Sequence, residues 1–160
     1  MIKNFGPRIA VLLLFSAPFF FFIQPWIEFG IFFLGLWLGA AMLLLDELWL
    51  SSWYQSGPAS GEKSVETPPQ LITRSVVFMA VYMLLTVFVV TSTGSLLGIG
   101  TVLGIGVLLS LELWQARHNL SVFQAKFGWQ TAYVFTAATQ RNFTWAFIFF
   151  VLLCCLWAVF

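Results

Sequence analysis

Glu47 and Glu112 stand at equivalent places in two long apolar runs, each followed by Leu-Trp. An ionised carboxylate at membrane depth is costly, and it persists where it meets a cation or lines an ion path. Arg8 and Arg74 begin the apolar runs that precede the two glutamates, which puts one arginine within reach of each: Arg8 for Glu47 and Arg74 for Glu112. Asp46 adds a second carboxylate beside Glu47, whereas Leu111 precedes Glu112. Three chemistries fit this pattern: closed Arg–Glu pairs, a cation or proton site built from both glutamates, or long side chains reaching out to water. Closed pairs are the favoured expectation.

The other reactive residue types point to little chemistry. His118, the single histidine, follows Arg117 just past an apolar run and faces headgroups in this reading. One imidazole does not make a metal cluster, so no metal and no cofactor is expected. Cys154 and Cys155 are adjacent within an apolar run. Disulfide geometry disfavours a bridge between neighbours, and both are read as space-filling thiols. No serine or cysteine is spaced for a histidine base, and no glycine-rich loop is placed to cradle a phosphate. The chain is therefore read as leaning away from enzymes. A lipid-modifying site using Asp46, Glu47, Glu112 and His118 is the weakest of the functions weighed.

The elements that must position these residues follow from composition. Of 160 residues, 61% are hydrophobic and 8% charged, far below the roughly 25% charged residues of a soluble domain. Lipid must cover the excess apolar surface. Net charge is +1, and no basic stripe marks a nucleic-acid partner. Runs near 20 apolar residues occur at 5–25, 29–50, 71–90, 95–114 and 142–160, the length a spanning helix needs. The predicted fold is all-α: a polytopic transmembrane bundle of about five spans. The first run resembles a signal peptide but carries Pro18 and a poor cleavage site, and it is read as a retained helix, bent at Pro18.

The connections organise the chain into a first hairpin (1–50), a polar Ser/Gly/Pro/Glu-rich loop (51–70), a second hairpin (71–115), an interfacial segment (116–140) and a fifth helix (141–160). Leu120, Phe123 and Phe127 recur at helical spacing around Gln124 and Lys126, which predicts an amphipathic stretch in the interface. All seven cations (Lys3, Arg8, Lys63, Arg74, Arg117, Lys126 and Arg141) fall on one side of this arrangement. The positive-inside rule then places the N-terminus and both long loops in the cytoplasm and the C-terminus outside, in a cell membrane like a bacterial inner membrane. Trp26, Trp49, Trp53, Trp114 and Trp129 lie near span ends as interfacial anchors.

At an offset of 65 residues, Gly35, Gly39, Glu47 and Trp49 align without gaps to Gly100, Gly104, Glu112 and Trp114. This predicts two hairpins in the same orientation, related by an approximate two-fold axis along the membrane normal. Gly35-xxx-Gly39 and Gly100-xxx-Gly104 are small-residue grooves for close helix approach. Their expected role is internal packing, with an interface to another protein or a second copy as the alternative. Expected partners are membrane lipids and other membrane subunits or a second copy. The expected function is a non-enzymatic subunit that scaffolds, stabilises or assists assembly of a larger membrane complex. The alternative is a small transporter or channel using Glu47 and Glu112.

Overall fold

The computed structural model describes residues 5–23, 26–50, 71–92, 94–131 and 134–159. The expected polar loop 51–70, with Lys63 and Trp53, lies outside the described residues, as does Lys3. Every regular element among the described residues is a helix: α1 (Phe5–Phe22), α2 (Trp26–Leu45), α3 (Val76–Ser92), α4 (Leu96–Ala116), α5 (Leu120–Phe127) and α6 (Ala137–Val159). A π turn, Asp46–Leu50, continues α2, and a 3-10 turn, Ile72–Arg74, precedes α3.

Three helices are long and apolar enough to cross a membrane, over Trp26–Leu48, Leu96–Ala116 and Ala137–Ala158. Gly6–Phe22 and Val76–Ser92 are also apolar but shorter. At 1.5 Å per residue each reaches about 25 Å, against a hydrocarbon core of about 30 Å. Helix α1 continues through Pro18 without a break, at the residue where the sequence predicts a bend. The third run starts late, because residues 71–75 form a turn before α3. The last helix starts at Ala137, earlier than residue 142.

Helix α4 is the hub. Of its apolar window 61% is buried inside the fold, against 33% for α2 and 28% for α6. Its glycines explain why. A methyl on Gly100 would collide with the Phe32 carbonyl oxygen, and one on Gly104 with that of Leu36. Conversely, methyls on Gly35 and Gly39 would collide with the carbonyl oxygens of Leu97 and Thr101. Helices α2 and α4 therefore run parallel, backbone against backbone, with glycine Cα hydrogens set against carbonyl oxygens, the arrangement that supports weak Cα–H···O bonds. The contacts are reciprocal, since Leu97 and Thr101 stand 65 residues after Phe32 and Leu36. In lipid, where apolar association brings little, this close approach is what makes dispersion effective.

On the other face of α4, the Tyr82 hydroxyl donates to the Val102 carbonyl at 2.6 Å. It reaches that carbonyl over Gly106, where a methyl would meet the Tyr82 oxygen and the Val151 side chain. Tyr82→Phe is expected to cost about 1 kcal/mol, and Gly106→Ala about 2 kcal/mol through overpacking. The double variant should cost less than the two singles together, because removing the hydroxyl makes room for the methyl. Equilibrium unfolding in detergent micelles reads all three.

Helix α5 does not simply float on the bundle. Phe123 and Phe127 are both 0% exposed, and Phe123 meets the rings of Phe127, Phe135 and Phe143 at 5.2, 5.3 and 6.4 Å. Leu120 remains exposed. Asn119 caps the helix by accepting from the Val122 amide, and Gly128 closes it. The Gln140 side chain, 2% exposed, donates to the Ala116 carbonyl at 2.8 Å and so satisfies the end of α4. Cys154 and Cys155 are buried, unbridged thiols on α6.

Candidate functional site

Four of the predicted charges converge where α1 begins, α2 ends, α3 begins and α4 ends. Arg8 Nη1 lies 2.7 Å from Glu47 Oε2, and its Nη2 lies 3.1 Å from Glu112 Oε1. Arg74 Nη2 lies 2.8 Å from Glu47 Oε2. Its Nη2 donates to Glu112 Oε1 at 2.7 Å, and its Nε lies 2.6 Å from Glu112 Oε2 as a close charge contact. Each arginine thus bridges both glutamates, tying the starts of α1 and α3 to the ends of both α2 and α4.

Helix periodicity explains the convergence. Glu47 and Glu112 sit one turn or so before their helices end, while Arg8 and Arg74 sit at the start of the antiparallel neighbours. The reciprocal α2–α4 contact sets the two glutamates at one level. Glu112 is nearly sealed, with its side chain 3% exposed, as is that of Arg74; Glu47 retains 31%.

Lys126, which the sequence pattern places only on an amphipathic face, completes the cluster with Nζ 2.9 Å from Glu112 Oε2. A signal for it exists: Lys126 lies three residues after Phe123, hence on the border of the buried face of α5. Asp46 takes a separate partner, the Thr73 hydroxyl, which donates to its Oδ2. Thr73, not Arg74, is the residue 65 positions after Arg8. At that offset a hydroxyl thus stands where Arg8 stands earlier in the chain, and Asp46 accepts from it. Asp46 is 6% exposed, and its other oxygen has no partner among the described residues.

Three cations meet two glutamates, and Asp46 brings the neighbourhood to balance. Burial works against the Arg74 charge, but Glu112 and Glu47 outweigh it and hold its pKa above the ordinary value. Lys126 goes the other way. Burial pushes its pKa below the ordinary lysine value, and Glu112 only partly offsets that.

No protein family, curated protein or solved structure shows significant similarity to this chain. Among the described residues no group of three or more His, Cys, Asp and Glu side chains is placed to hold a metal ion. His118 is exposed and accepts from Arg117 Nε at 2.7 Å, away from the ion cluster. Gly35, Gly39, Gly100 and Gly104 lie in the α2–α4 contact, one side of the chain against the other.

Proposed function

We propose that the chain is a non-enzymatic integral membrane subunit that scaffolds, stabilises or assists assembly of a larger membrane complex. In this reading it spans a cell membrane five times, as two parallel-repeat hairpins followed by α6, with the N-terminus and the ion cluster cytoplasmic and the C-terminus outside. The repeat is supported by the reciprocal glycine contacts. The orientation is supported by the segregation of the cations. Helices α1 and α3, being short, thin the local bilayer or draw their flanking residues toward the interface.

The observation that carries the functional reading is the use made of polar residues. Glu112 is held by three cations and Glu47 by two. Both serve as cross-links between helices, and α2 and α4 close on each other where a path between the hairpins would run. A transporter or channel would use the same glutamates as an ion site, and their engagement by the chain's own cations weighs against it. The outer surface, by contrast, is rich in large apolar groups, such as Leu84 at 75% exposed on α3 and Trp157 at 67% on α6. Lipid and neighbouring subunits are the partners this chemistry suits.

Extraction from native membranes in mild detergent, followed by intact-mass analysis, is the test. The expected result is recovery with one or more other chains in fixed ratio. Recovery as a lone monomer would count against the proposal, as would cation or proton flux in proteoliposomes above protein-free controls.

A further inference from the structure

Helices α1, α4 and α6 leave between them a groove of about 340 Å³. Its walls include Val11 and Phe15 from α1, Val107 and Ser110 from α4, and Trp145 and Val151 from α6. It follows α4 from Val107 to Trp114, about 10 Å at 1.5 Å per residue. Its long, apolar shape suits a hydrocarbon chain.

Two features suggest more than passive lipid contact. The first is Ser110. Hydroxyls on apolar helices usually close onto the carbonyl four residues earlier, and Thr86, Thr101 and Thr144 do so here at 2.8, 2.8 and 2.9 Å. Ser110 is among the residues that line the groove, and its hydroxyl oxygen is buried with no hydrogen-bond partner among the described residues. A buried donor of this kind needs an acceptor, and a lipid ester carbonyl is one.

The second is the mouth. Trp114 and Trp145 meet edge to face there, with centroids 5.4 Å apart. The Arg117 guanidinium lies 3.2 Å above the Trp114 ring and donates to His118. Among the described residues no carboxylate pairs with Arg117, whereas Arg8, Arg74 and Lys126 all have one. Exposed Arg141 stands one turn before Trp145 on the same face of α6. An apolar slot thus ends at aromatic rings flanked by two cations not engaged in the cluster.

We propose that this groove binds one anionic phospholipid, with an acyl chain along α4, an ester carbonyl at Ser110, and the phosphate against Arg117 and Arg141. Charge complementarity selects the headgroup and the slot holds the chain. The bound lipid fills the groove between α1, α4 and α6.

Native mass spectrometry of the purified chain, titrated separately with phosphatidylglycerol and phosphatidylcholine, tests this. Wild type should retain one phosphatidylglycerol at least tenfold more tightly than phosphatidylcholine. Arg117→Gln with Arg141→Gln should bring that ratio within about twofold, since each cation near an anionic lipid contributes about a kcal/mol, several-fold in affinity. Ser110→Phe, which fills the slot, should weaken binding of both lipids at least tenfold. Equal retention of the two lipids by wild type would overturn the proposal. So would a headgroup preference that survives the double arginine variant.

Discussion

Glu112→Gln is expected to destabilise the folded chain by about 3–5 kcal/mol, the cost of breaking a buried ion network by removing one partner. The side chains of Glu112 and Arg74 are each 3% exposed, and Glu112 faces Arg8, Arg74 and Lys126. A neutral amide there leaves Lys126 without its carboxylate and Arg8 and Arg74 with Glu47 as their one shared partner. Glu47→Gln should cost less, roughly 1–3 kcal/mol, because its side chain is 31% exposed and water can replace part of what is lost. Lys126→Met should change stability by less than about 1 kcal/mol, since desolvation already outweighs the attraction of Glu112 for that ammonium. The pH dependence has the matching sign. The folded chain gives up the Lys126 proton before the unfolded chain does, so this residue raises stability as pH climbs from its lowered pKa to the ordinary value of 10.5. Unfolding in mild detergent, followed by tryptophan fluorescence from neutral to alkaline pH, reads all four effects. Equal costs for the two glutamates would refute the account, for then burial would not decide the cluster's energetics.

The elements were legible in the sequence because apolar run length is a strong signal once lipid is the solvent. The pairing of Arg8 with Glu47 and of Arg74 with Glu112 could be posed from charge order alone. The crossing contacts could not, because they depend on how closely α2 approaches α4. Lys126 illustrates a different limit. Periodicity located it on a helix, but only the burial of Phe123 and Phe127 turned that helix inward and brought the ammonium to Glu112. The π turn at Asp46–Leu50 has no evident mark in the sequence. Helix-end geometry responds to partners, here Thr73 and the two arginines, and those partners are distant along the chain. The groove beside α4 was equally hidden, since it depends on how three helices distant along the chain pack together.

Gly39→Val should be the most damaging single change on the α2–α4 seam, costing at least about 3 kcal/mol, the upper end of overpacking effects. A side chain there runs into backbone, the Thr101 carbonyl and the Ile105 amide, and neither can swing away as a side chain would. Helices α2 and α4 must separate, and the level match between Glu47 and Glu112 goes with them. The reciprocal contacts make the prediction sharper. If α2 and α4 are related by a two-fold axis, Gly39→Ala and Gly104→Ala meet the same obstacle from opposite sides, the carbonyls of Thr101 and Leu36, and should cost the same within about 1 kcal/mol. Gly35→Ala and Gly100→Ala should match likewise. Combining Gly39→Ala with Gly104→Ala should then cost clearly less than twice either one, because helices already forced apart by the first methyl leave room for the second. Gly30, where a methyl would find nothing within 4 Å, is the control. Gly30→Ala should stabilise α2 by about 0.5–1 kcal/mol through helix propensity alone. Strictly additive glycine effects would mean that each side chain is accommodated locally, and the rigid backbone seam on which the cluster's geometry depends would be the wrong description of how these two helices meet.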